Sequence, residues 1–371
     1  MKFIKKILSK KINLKIEFFS KKKIIIYCTP RTAIYLKFIE KKFKKDVIFL
    51  YKDEYNLMIL ILTIFRMLLL REKYFFVNYL RTIVELCNIR VFITDLDNYT
   101  PFYSLKSKID SIKVLLIQNG TRAKFLDVFE IIKKNKENIV DDFIVFNNDI
   151  KKKYEKYVKA NYHILGSYKL ESYTKNFKAK KKINLLNTIL YISQYRSNDT
   201  SNVPAASTKI IQCLQKFSLK NNIKLKINFY YKLNNSNLEN EKNYYKKLGI
   251  SNEQFITNKN SSTSYQNLLN SKLVVSCDST MGYESLSMQR KTFFTSIIKG
   301  SDFAWPGSYK KEGFFWLTEF SQIRIEKKIK ELIKCKNKVW IKKIKEYNKD
   351  IAFQDFNYSK KIEKIIKGYL I

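Results

Sequence analysis

The sequence predicts an α/β protein of two doubly wound domains that face a central cleft. Short runs of apolar, β-branched residues alternate with segments of helical length, a pattern typical of parallel strands buried on both faces. This alternation stops in a stretch rich in Lys, Asn and Ser and then restarts. A chain of 371 residues is also longer than a single domain with one hydrophobic core. We expect an N-terminal domain over 1–170, a linker over 171–187 and a C-terminal domain with a helical tail over 188–371.

The N-terminal domain is predicted to contain five strands, each followed by a polar, loop-like segment. The strands fall at 23–28, 91–94, 114–117, 143–146 and 162–165, with helices at 32–43, 56–71, 79–87 and 149–159. The helix at 56–71 is the best candidate for membrane contact, but it is shorter than the roughly 20 residues that span a bilayer and Arg66 interrupts it. We expect this helix to be buried or to lie at a membrane interface.

The C-terminal domain repeats the pattern, with strands at 188–192, 225–230, 255–256 and 273–277 and a mostly helical remainder. The strand at 273–277 leads into a turn with Ser279, Thr280 and Gly282, which opens a helix. The free backbone N–H groups and the dipole at such a helix start bind phosphate. Glu284 follows Thr280 by one helical turn, so we expect it to hold a neighbouring hydroxyl, such as that of a ribose.

The net charge of +39 permits three interpretations. Lysine is spread along the whole chain while arginine occurs only nine times, which favours a solvated, lysine-rich surface. Attraction to an anionic membrane surface stays open as an alternative, at about 1 kcal/mol per lysine near the lipid. Binding to nucleic acid is the least favoured of the three, because no aromatic RNA-reading motif accompanies the charge.

The cysteines and the histidine exclude several chemistries. The five cysteines form no CxxC pair, which indicates a reducing compartment and no structural zinc, and Cys28 and Cys277 fall in strand-like runs typical of a core. The single histidine, His163, also lies in an apolar run, so a Ser-His-Asp triad or a histidine metal site has little support. The N-terminus lacks the features of a signal peptide. We expect a cytoplasmic protein, with contact at the inner face of the cytoplasmic membrane left open.

Three of the nine arginines follow predicted strands at the edge where open α/β sheets bind ligands. Arg31, Arg122 and Arg196 each stand two to five residues past a strand end. Arginine offers a planar, bidentate fork for phosphate or carboxylate that lysine cannot copy. These arginines are therefore candidate ligand-binding residues, although capping or surface pairing would also explain each one.

A carboxylate is the candidate general base, since no histidine is placed for that role. Asp95 and Asp97 follow the strand at 91–94, and one of them would take a proton from a sugar hydroxyl. We choose Asp97, while a turn-forming or capping role is an equal alternative.

Four segments together resemble a known family. They are 117–122 (IQNGTR), 192–196 (ISQYR), 278–284 (DSTMGYE) and the aromatic pair 303–306 (FAWP) and 313–316 (GFFW). The set resembles the bacterial surface-carbohydrate (lipopolysaccharide) biosynthesis proteins of glycosyltransferase type B (GT-B) architecture, with two Rossmann-like domains. More distantly it is similar to capsule-synthesis transferases and glycerophosphotransferases. The resemblance implies a nucleotide donor in the C-terminal domain, an acceptor glycan in the N-terminal domain and no catalytic metal or other cofactor.

The sequence and the resemblance thus predict a transferase that moves a sugar from a nucleotide-sugar donor to a glycan or lipid-linked glycan acceptor. The alternatives are transfer of a phospho-alcohol from a CDP-linked donor and a non-catalytic, basic anion-binding protein. The predicted donor-site residues are Ser193, Gln194, Arg196, Ser279, Thr280, Gly282, Tyr283 and Glu284, and the predicted acceptor-site residues are Arg31, Asn98, Asn119, Gly120 and Arg122.

Overall fold

The computed structural model describes residues 13–16, 21–71, 74–122, 128–177, 185–195, 203–230, 237–256, 261–277, 279–295, 312–351 and 353–371. Its N-terminal half contains these elements, in chain order: β1 (Asn13–Lys15), β2 (Ile24–Cys28), α1 (Pro30–Phe43), β3 (Val47–Tyr51), β4 (Glu54–Asn56), α2 (Leu57–Leu70), α3 (Phe75–Cys87), β5 (Val91–Thr94), α4 (Leu105–Lys108), β6 (Lys113–Ile117), α5 (Val128–Ile131), β7 (Ile139–Val145), α6 (Asn148–Tyr154), β8 (Lys159–Ile164) and α7 (Tyr168–Phe177).

Six of these strands form a wholly parallel sheet in the order β3-β2-β5-β6-β7-β8. The central strands are buried at every residue in β2 and β5, which explains why their sequences are apolar without alternation. One apolar core lies on each face of the sheet. The prediction of a doubly wound N-terminal sheet is confirmed.

The C-terminal half contains a second sheet. Its elements are β9 (Leu186–Ile192), α8 (Val203–Lys220), β10 (Lys224–Asn228), α9 (Leu238–Lys247), β11 (Phe255–Ile256), α10 (Ser261–Asn270), β12 (Ser271–Ser276), α11 (Thr280–Ser287), β13 (Thr292–Phe294), β14 (Glu312–Gly313), β15 (Trp316–Leu317), α12 (Gln322–Lys334), α13 (Asn337–Lys345), α14 (Asn348–Ile351) and α15 (Tyr358–Leu370).

This sheet has the order β11-β10-β9-β12-β13-β15-β14, and its pairs are parallel except β14 with β15. Its first six strands follow the Rossmann order 3-2-1-4-5-6. The sequence analysis assigns the chain after 277 mostly to helices and therefore misses the short strands β13, β14 and β15. It also misses β1, β3 and β4 in the first half of the chain.

The connection between the two sheets differs from the predicted linker. Residues 171–177 are helical, as part of α7, and the predicted linker residues 178–184 lie outside the described chain. Tyr168 of α7 is buried in a core of the first sheet, whereas Leu170 and Tyr173 are buried with strand residues of the second. The helix α7 therefore packs against both units.

The last helix also departs from the predicted domain division. Tyr358, Ile362 and Ile366 of α15 are fully buried in the core of the first sheet, although the sequence analysis assigns them to the C-terminal domain. The apolar face of α15 covers a face of that sheet, and Ser359 donates its backbone N–H to Glu171 of α7 at 3.1 Å. A helical pattern shows which face of a helix is apolar but not which sheet it covers.

Three smaller predictions concern the cysteines, the histidine and a membrane-spanning helix. Cys28 and Cys277 are buried in the cores, as predicted. His163 lies in β8, near its end, and forms a hydrogen bond with Asp142. Among the described residues, no helix combines the length and apolar character needed to cross a membrane.

Candidate ligand site between the two sheets

Each sheet has one point at which the strand order reverses, and ligands of open α/β sheets bind outside the carboxyl ends of the strands at such a point. In the first sheet this point lies between β2 and β5, which end at Cys28 and Thr94. In the second it lies between β9 and β12, which end at Ile192 and Ser276. The predicted donor and acceptor segments follow these strands or their immediate neighbour β6.

The turn after β12 forms a capped helix start. Ser279 is the N-cap of α11; its hydroxyl accepts a hydrogen bond from the backbone N–H of Met281 at 3.3 Å, and its own N–H donates to Ser276 Oγ at 3.2 Å. The N-terminal end of α11 therefore lies at the reversal point of the second sheet, as an anion site requires. Asp278, the residue before this turn, lies outside the described residues.

Gly282 has a packing role in this structure. A Cβ atom at Gly282 would lie 2.5 Å from Ser276 Oγ, 2.7 Å from Ser276 Cβ and 3.0 Å from the Phe294 ring. Its side-chain position thus faces β12 and β13, where only glycine lets α11 approach the sheet so closely. Tyr283 is buried beside the same ring, 5.2 Å between centroids.

The helix start also contacts the first sheet. Thr280 Oγ1 accepts a hydrogen bond from the backbone N–H of Thr121 at 3.0 Å, and a Cβ on Gly120 would lie 3.2 Å from the same oxygen. Gly120 and Thr121 belong to the loop after β6, which the sequence analysis assigns to the acceptor side. The structure therefore brings a donor-side and an acceptor-side segment into direct contact.

Asp97, the predicted base, is fully buried and accepts hydrogen bonds at both carboxylate oxygens. Arg122 Nε donates to Oδ2 at 2.7 Å and its Nη2 forms an ion pair with Oδ1. The Tyr154 hydroxyl donates to Oδ2 at 2.8 Å, and the Asn119 backbone N–H donates to Oδ1 at 3.1 Å. This arrangement suits a residue that fixes the loop after β6, and a carboxylate so fully engaged is poorly placed to accept a further proton.

Asp95, two residues earlier, has a different environment. Its Oδ2 accepts from the Tyr168 hydroxyl at 2.7 Å, while Oδ1 is buried without a hydrogen bond from any described group. Burial raises the pKa of this carboxyl, opposed by the hydroxyls of Tyr168 and Thr32 and by Lys169. A buried carboxyl with one oxygen unengaged at a ligand edge is a stronger candidate base than Asp97.

Glu284 and Lys169 connect the two units. Glu284 is buried; it accepts from the Ser167 hydroxyl at 2.6 Å and from the Tyr265 hydroxyl at 2.8 Å, and burial raises its pKa against the opposing effects of Ser167, Lys169 and Tyr265. Lys169 Nζ donates to the Asn119 carbonyl at 2.7 Å. Burial lowers the pKa of Lys169, opposed most strongly by Glu284 and then by Asp95.

The other predicted site residues fall into three groups. Ser193 is buried at the end of β9, where its hydroxyl accepts from the Tyr245 hydroxyl at 2.8 Å and donates to Glu241. Arg31 is exposed in the first turn of α1, directly after β2, and Asn98 is exposed in the loop after β5. Gln194 is partly buried after β9, and Arg196 lies outside the described chain.

Lys169 is the site residue that sequence reasoning missed. The chain is so rich in lysine that its identity carried no signal, and it lies in a segment assigned to the domain boundary. The available signal was the loop 166–167 after the strand at 162–165, which resembles the other strand-end loops. In the described part of the chain, no cluster of three His, Cys, Asp or Glu side chains has the geometry to hold a metal ion.

Two Rossmann-like domains whose strand-end loops meet at the same site define a GT-B-fold protein. The chain belongs to the O-antigen biosynthesis protein family, whose family model matches residues 115–369. It is therefore a GT-B-fold protein of surface polysaccharide biosynthesis. No curated protein matches the chain by sequence.

Solved structures share the fold at low sequence identity. S. aureus MnaA in complex with UDP is 12% identical with a TM-score of 0.59, covering 94% of this chain and 97% of that one. The UDP-GlcNAc 2-epimerase of Methanocaldococcus jannaschii, in complex with UDP-GlcNAc and UDP, is 11% identical with a TM-score of 0.58, covering 93% and 99%. The wall teichoic acid polymerase TagF with CDPG is 12% identical with a TM-score of 0.54, covering 94% and 89%.

Proposed function

We propose that the protein is a glycosyltransferase, which moves a sugar from a nucleotide-activated donor to a glycan of a bacterial surface polysaccharide without a catalytic metal. The main support is the contact between Thr280 at the start of α11 and the loop after β6, because it joins a helix start suited to phosphate to a strand-end loop beside the reversal point of the first sheet. Membership of the O-antigen family and the nucleotide ligands of similar structures agree with this proposal.

In this proposal the donor phosphates bind at the start of α11, beside Ser279 and Thr280. Lys169 and Arg196 supply positive charge as the nucleotide leaves. The charge of Glu284 favours the charged form of Lys169. Glu284 also joins the two units through Ser167, rather than holding the ribose, since both of its oxygens already accept hydrogen bonds.

The acceptor glycan binds at the carboxyl ends of β2, β5 and β6, beside Arg31 in the first turn of α1 and Asn98 and Asn119 in the loops. An acceptor hydroxyl gives its proton to Asp95 and its oxygen forms the new bond to the sugar's anomeric carbon. The bond from that carbon to the phosphate breaks, and the nucleoside diphosphate leaves with its electron pair. Asp97 positions Arg122 and the loop in this scheme.

Nucleotide binding tests the donor site. Thr280→Asp places a negative charge at the helix start, and we expect it to weaken the affinity for the preferred nucleotide at least about tenfold in calorimetry, since like charges a few ångströms apart repel by more than 1.4 kcal/mol. The control is Ser321→Ala, which removes the N-cap of α12 away from the site, where Ser321 Oγ accepts from the Arg324 N–H at 3.4 Å. If wild type binds no nucleotide, or Thr280→Asp binds it equally well, the donor site is refuted.

The proton-transfer role is tested by Asp95→Asn beside Asp97→Asn. We expect Asp95→Asn to lower kcat by about 10²- to 10⁴-fold with nucleotide affinity retained. Asp97→Asn should instead lower thermal stability, because it removes the buried ion pair between Arg122 and Asp97. Full turnover by Asp95→Asn would reject Asp95 as the base.

Transfer of a phospho-alcohol from a CDP-linked donor is the second candidate, favoured by the similarity to TagF with CDPG. Nucleotide release distinguishes the two for a sugar carried on a nucleoside diphosphate, because its transfer releases a nucleoside diphosphate whereas phospho-alcohol transfer releases CMP. Conversion of UDP-GlcNAc without any acceptor would indicate epimerisation instead. Binding of every polyanion alike, with affinity falling steeply in salt, would support a non-catalytic anion-binding protein.

A further inference from the structure

The outer face of α2 is an uncovered apolar surface. Eight of the fourteen residues of this helix are exposed apolar side chains, and they are Met58, Ile61, Leu62, Ile64, Phe65, Leu68, Leu69 and Leu70. Most follow one another at intervals of three or four residues, so they form a continuous face. Exposed fractions reach 74% at Leu68 and 61% at Phe65. An apolar face of this extent on a folded domain marks a binding surface for a protein or a lipid.

The helix itself is firmly anchored. Asn56 caps its start by accepting the Ile59 N–H at 3.2 Å, and Ile59 and Leu60 are buried on the inner side. The Thr63 hydroxyl donates to Thr82 of α3 at 3.3 Å. The exposed apolar residues therefore lie on a helix whose inner side is well packed.

The apolar face leads to the acceptor edge of the first sheet. In the chain, the end of α2 is followed by Tyr74 at the start of α3. The Tyr74 side chain is 66% exposed. Phe76 in the next turn packs edge-on against Tyr99 at 6.1 Å. Tyr99 is also exposed and directly follows Asn98, a predicted acceptor residue. Aromatic side chains with a polar tip at the border of an apolar surface are typical of membrane–water interfaces.

Positive charge borders this surface. Lys108 Nζ lies 4.4 Å from the centre of the Tyr74 ring, and Arg71 ends α2. The nearby Glu85 carboxylate is paired with Arg66. β1 pairs with β4 directly before α2, and residues 1–12 ahead of it include five lysines and no acidic residue. A second copy of a chain with a net charge of +39 would meet this border with charge of the same sign.

We propose that the outer face of α2, together with Tyr74 and Tyr99, inserts into the interface of an anionic lipid membrane. The helix then lies parallel to the surface, and the basic border contacts acidic headgroups. The acceptor edge of the first sheet is thereby held at the membrane. Resting on the proposed function, this makes the acceptor a glycan attached to a membrane lipid.

Vesicle flotation tests the surface. The probes are vesicles of phosphatidylcholine alone and of phosphatidylcholine with 30% phosphatidylglycerol, and the variant is Phe65→Gln with Leu69→Gln. We expect wild type to float with the anionic vesicles, and to do so less in high salt. The variant should lose about tenfold or more of its partitioning, because it removes two apolar side chains that the membrane would bury. The matched control is Leu219→Gln with Ile323→Gln, two exposed apolar residues on other helices, which should change partitioning less than about twofold.

Three results would overturn the proposal. They are no flotation of wild type, equal flotation of the α2 variant, and a wild-type dimer that the α2 variant converts to a monomer, which would assign the face to self-association. Calorimetry with the preferred nucleotide separates this proposal from the donor site, since the α2 variant should bind nucleotide as wild type does. Loss of vesicle binding with nucleotide binding intact supports the membrane surface even if transfer is disproved.

Discussion

Replacing Gly282 by alanine tests the packing role that the structure gives this residue. The new Cβ would lie 2.7 Å from Ser276 Cβ, which is fixed to the backbone of β12 and cannot rotate away. Either α11 or the strand must move, and overpacking of this kind costs about 1–3 kcal/mol. Alanine returns about 1 kcal/mol because it favours a helix over glycine. The net expectation against wild type is a destabilisation of up to about 2 kcal/mol, or a fall of up to roughly 8 °C in Tm for a domain of this size. Against a Gly→Ala change at an unhindered helix position, the expected loss is about 1–3 kcal/mol.

Thermal unfolding followed by circular dichroism measures this effect. The matched control is Gly368→Ala in α15, where no atom lies within 4 Å of the added Cβ, so the Tm should stay the same or rise slightly. Adding Ser276→Gly to Gly282→Ala removes the clashing atoms and should recover part of the loss. The reasoning is refuted if the Tm of Gly282→Ala is no lower than that of Gly368→Ala.

Three further predictions concern contacts at the strand ends. Arg122→Ala should cost about 3–5 kcal/mol in urea unfolding, because Asp97 is left as a buried, unpaired charge; an unchanged midpoint would contradict this. Burial raises the pKa of Glu284 in the folded state above its ordinary value of 4.5, so the ionised carboxylate opposes folding. The stability of wild type should therefore fall relative to that of Glu284→Gln as the pH rises from 4.5 toward the raised pKa. A Tm difference independent of pH would argue against it. Thr280→Val removes the acceptor of the Thr121 N–H, and hydrogen exchange at that amide should accelerate about fivefold or more, as expected for a bond of about 1 kcal/mol.

The strand-end positions were the part of the fold that sequence could predict best. Central strands such as β2 and β5 are buried on both faces, so their apolar character is continuous and their ends are marked by the first polar residues. Because parallel strands end at one edge, the loops after them meet there whatever the strand order. This is why the sequence alone assigns Asn119, Gly120 and Thr280 to candidate sites.

What could not be predicted depends on contacts between residues far apart in the chain. No feature of the neighbouring sequence distinguishes Asp95 from Asp97. Asp95 nevertheless accepts a hydrogen bond from Tyr168, whereas Asp97 forms an ion pair with Arg122. Gly282 fits a phosphate turn and a close helix–strand contact equally well in sequence, and only the position of Ser276 decides between them. Lys169 becomes notable only because the charge of Glu284, distant in sequence, opposes the lowering of its pKa by burial.

The charges of the site restrict how it can bind a phosphate. Arg122 is already engaged with Asp97 and Asn119, so its fork is not available to the donor without breaking a buried ion pair. Lys169 has a pKa lowered by burial and kept from falling further by Glu284, so an arriving diphosphate would raise that pKa and stabilise the ammonium. The same diphosphate would gain the dipole of α11. Donor binding should therefore take up a proton at Lys169 when the pH is near its lowered pKa, and calorimetry in buffers of different ionisation enthalpy would detect that uptake in wild type and not in Lys169→Met.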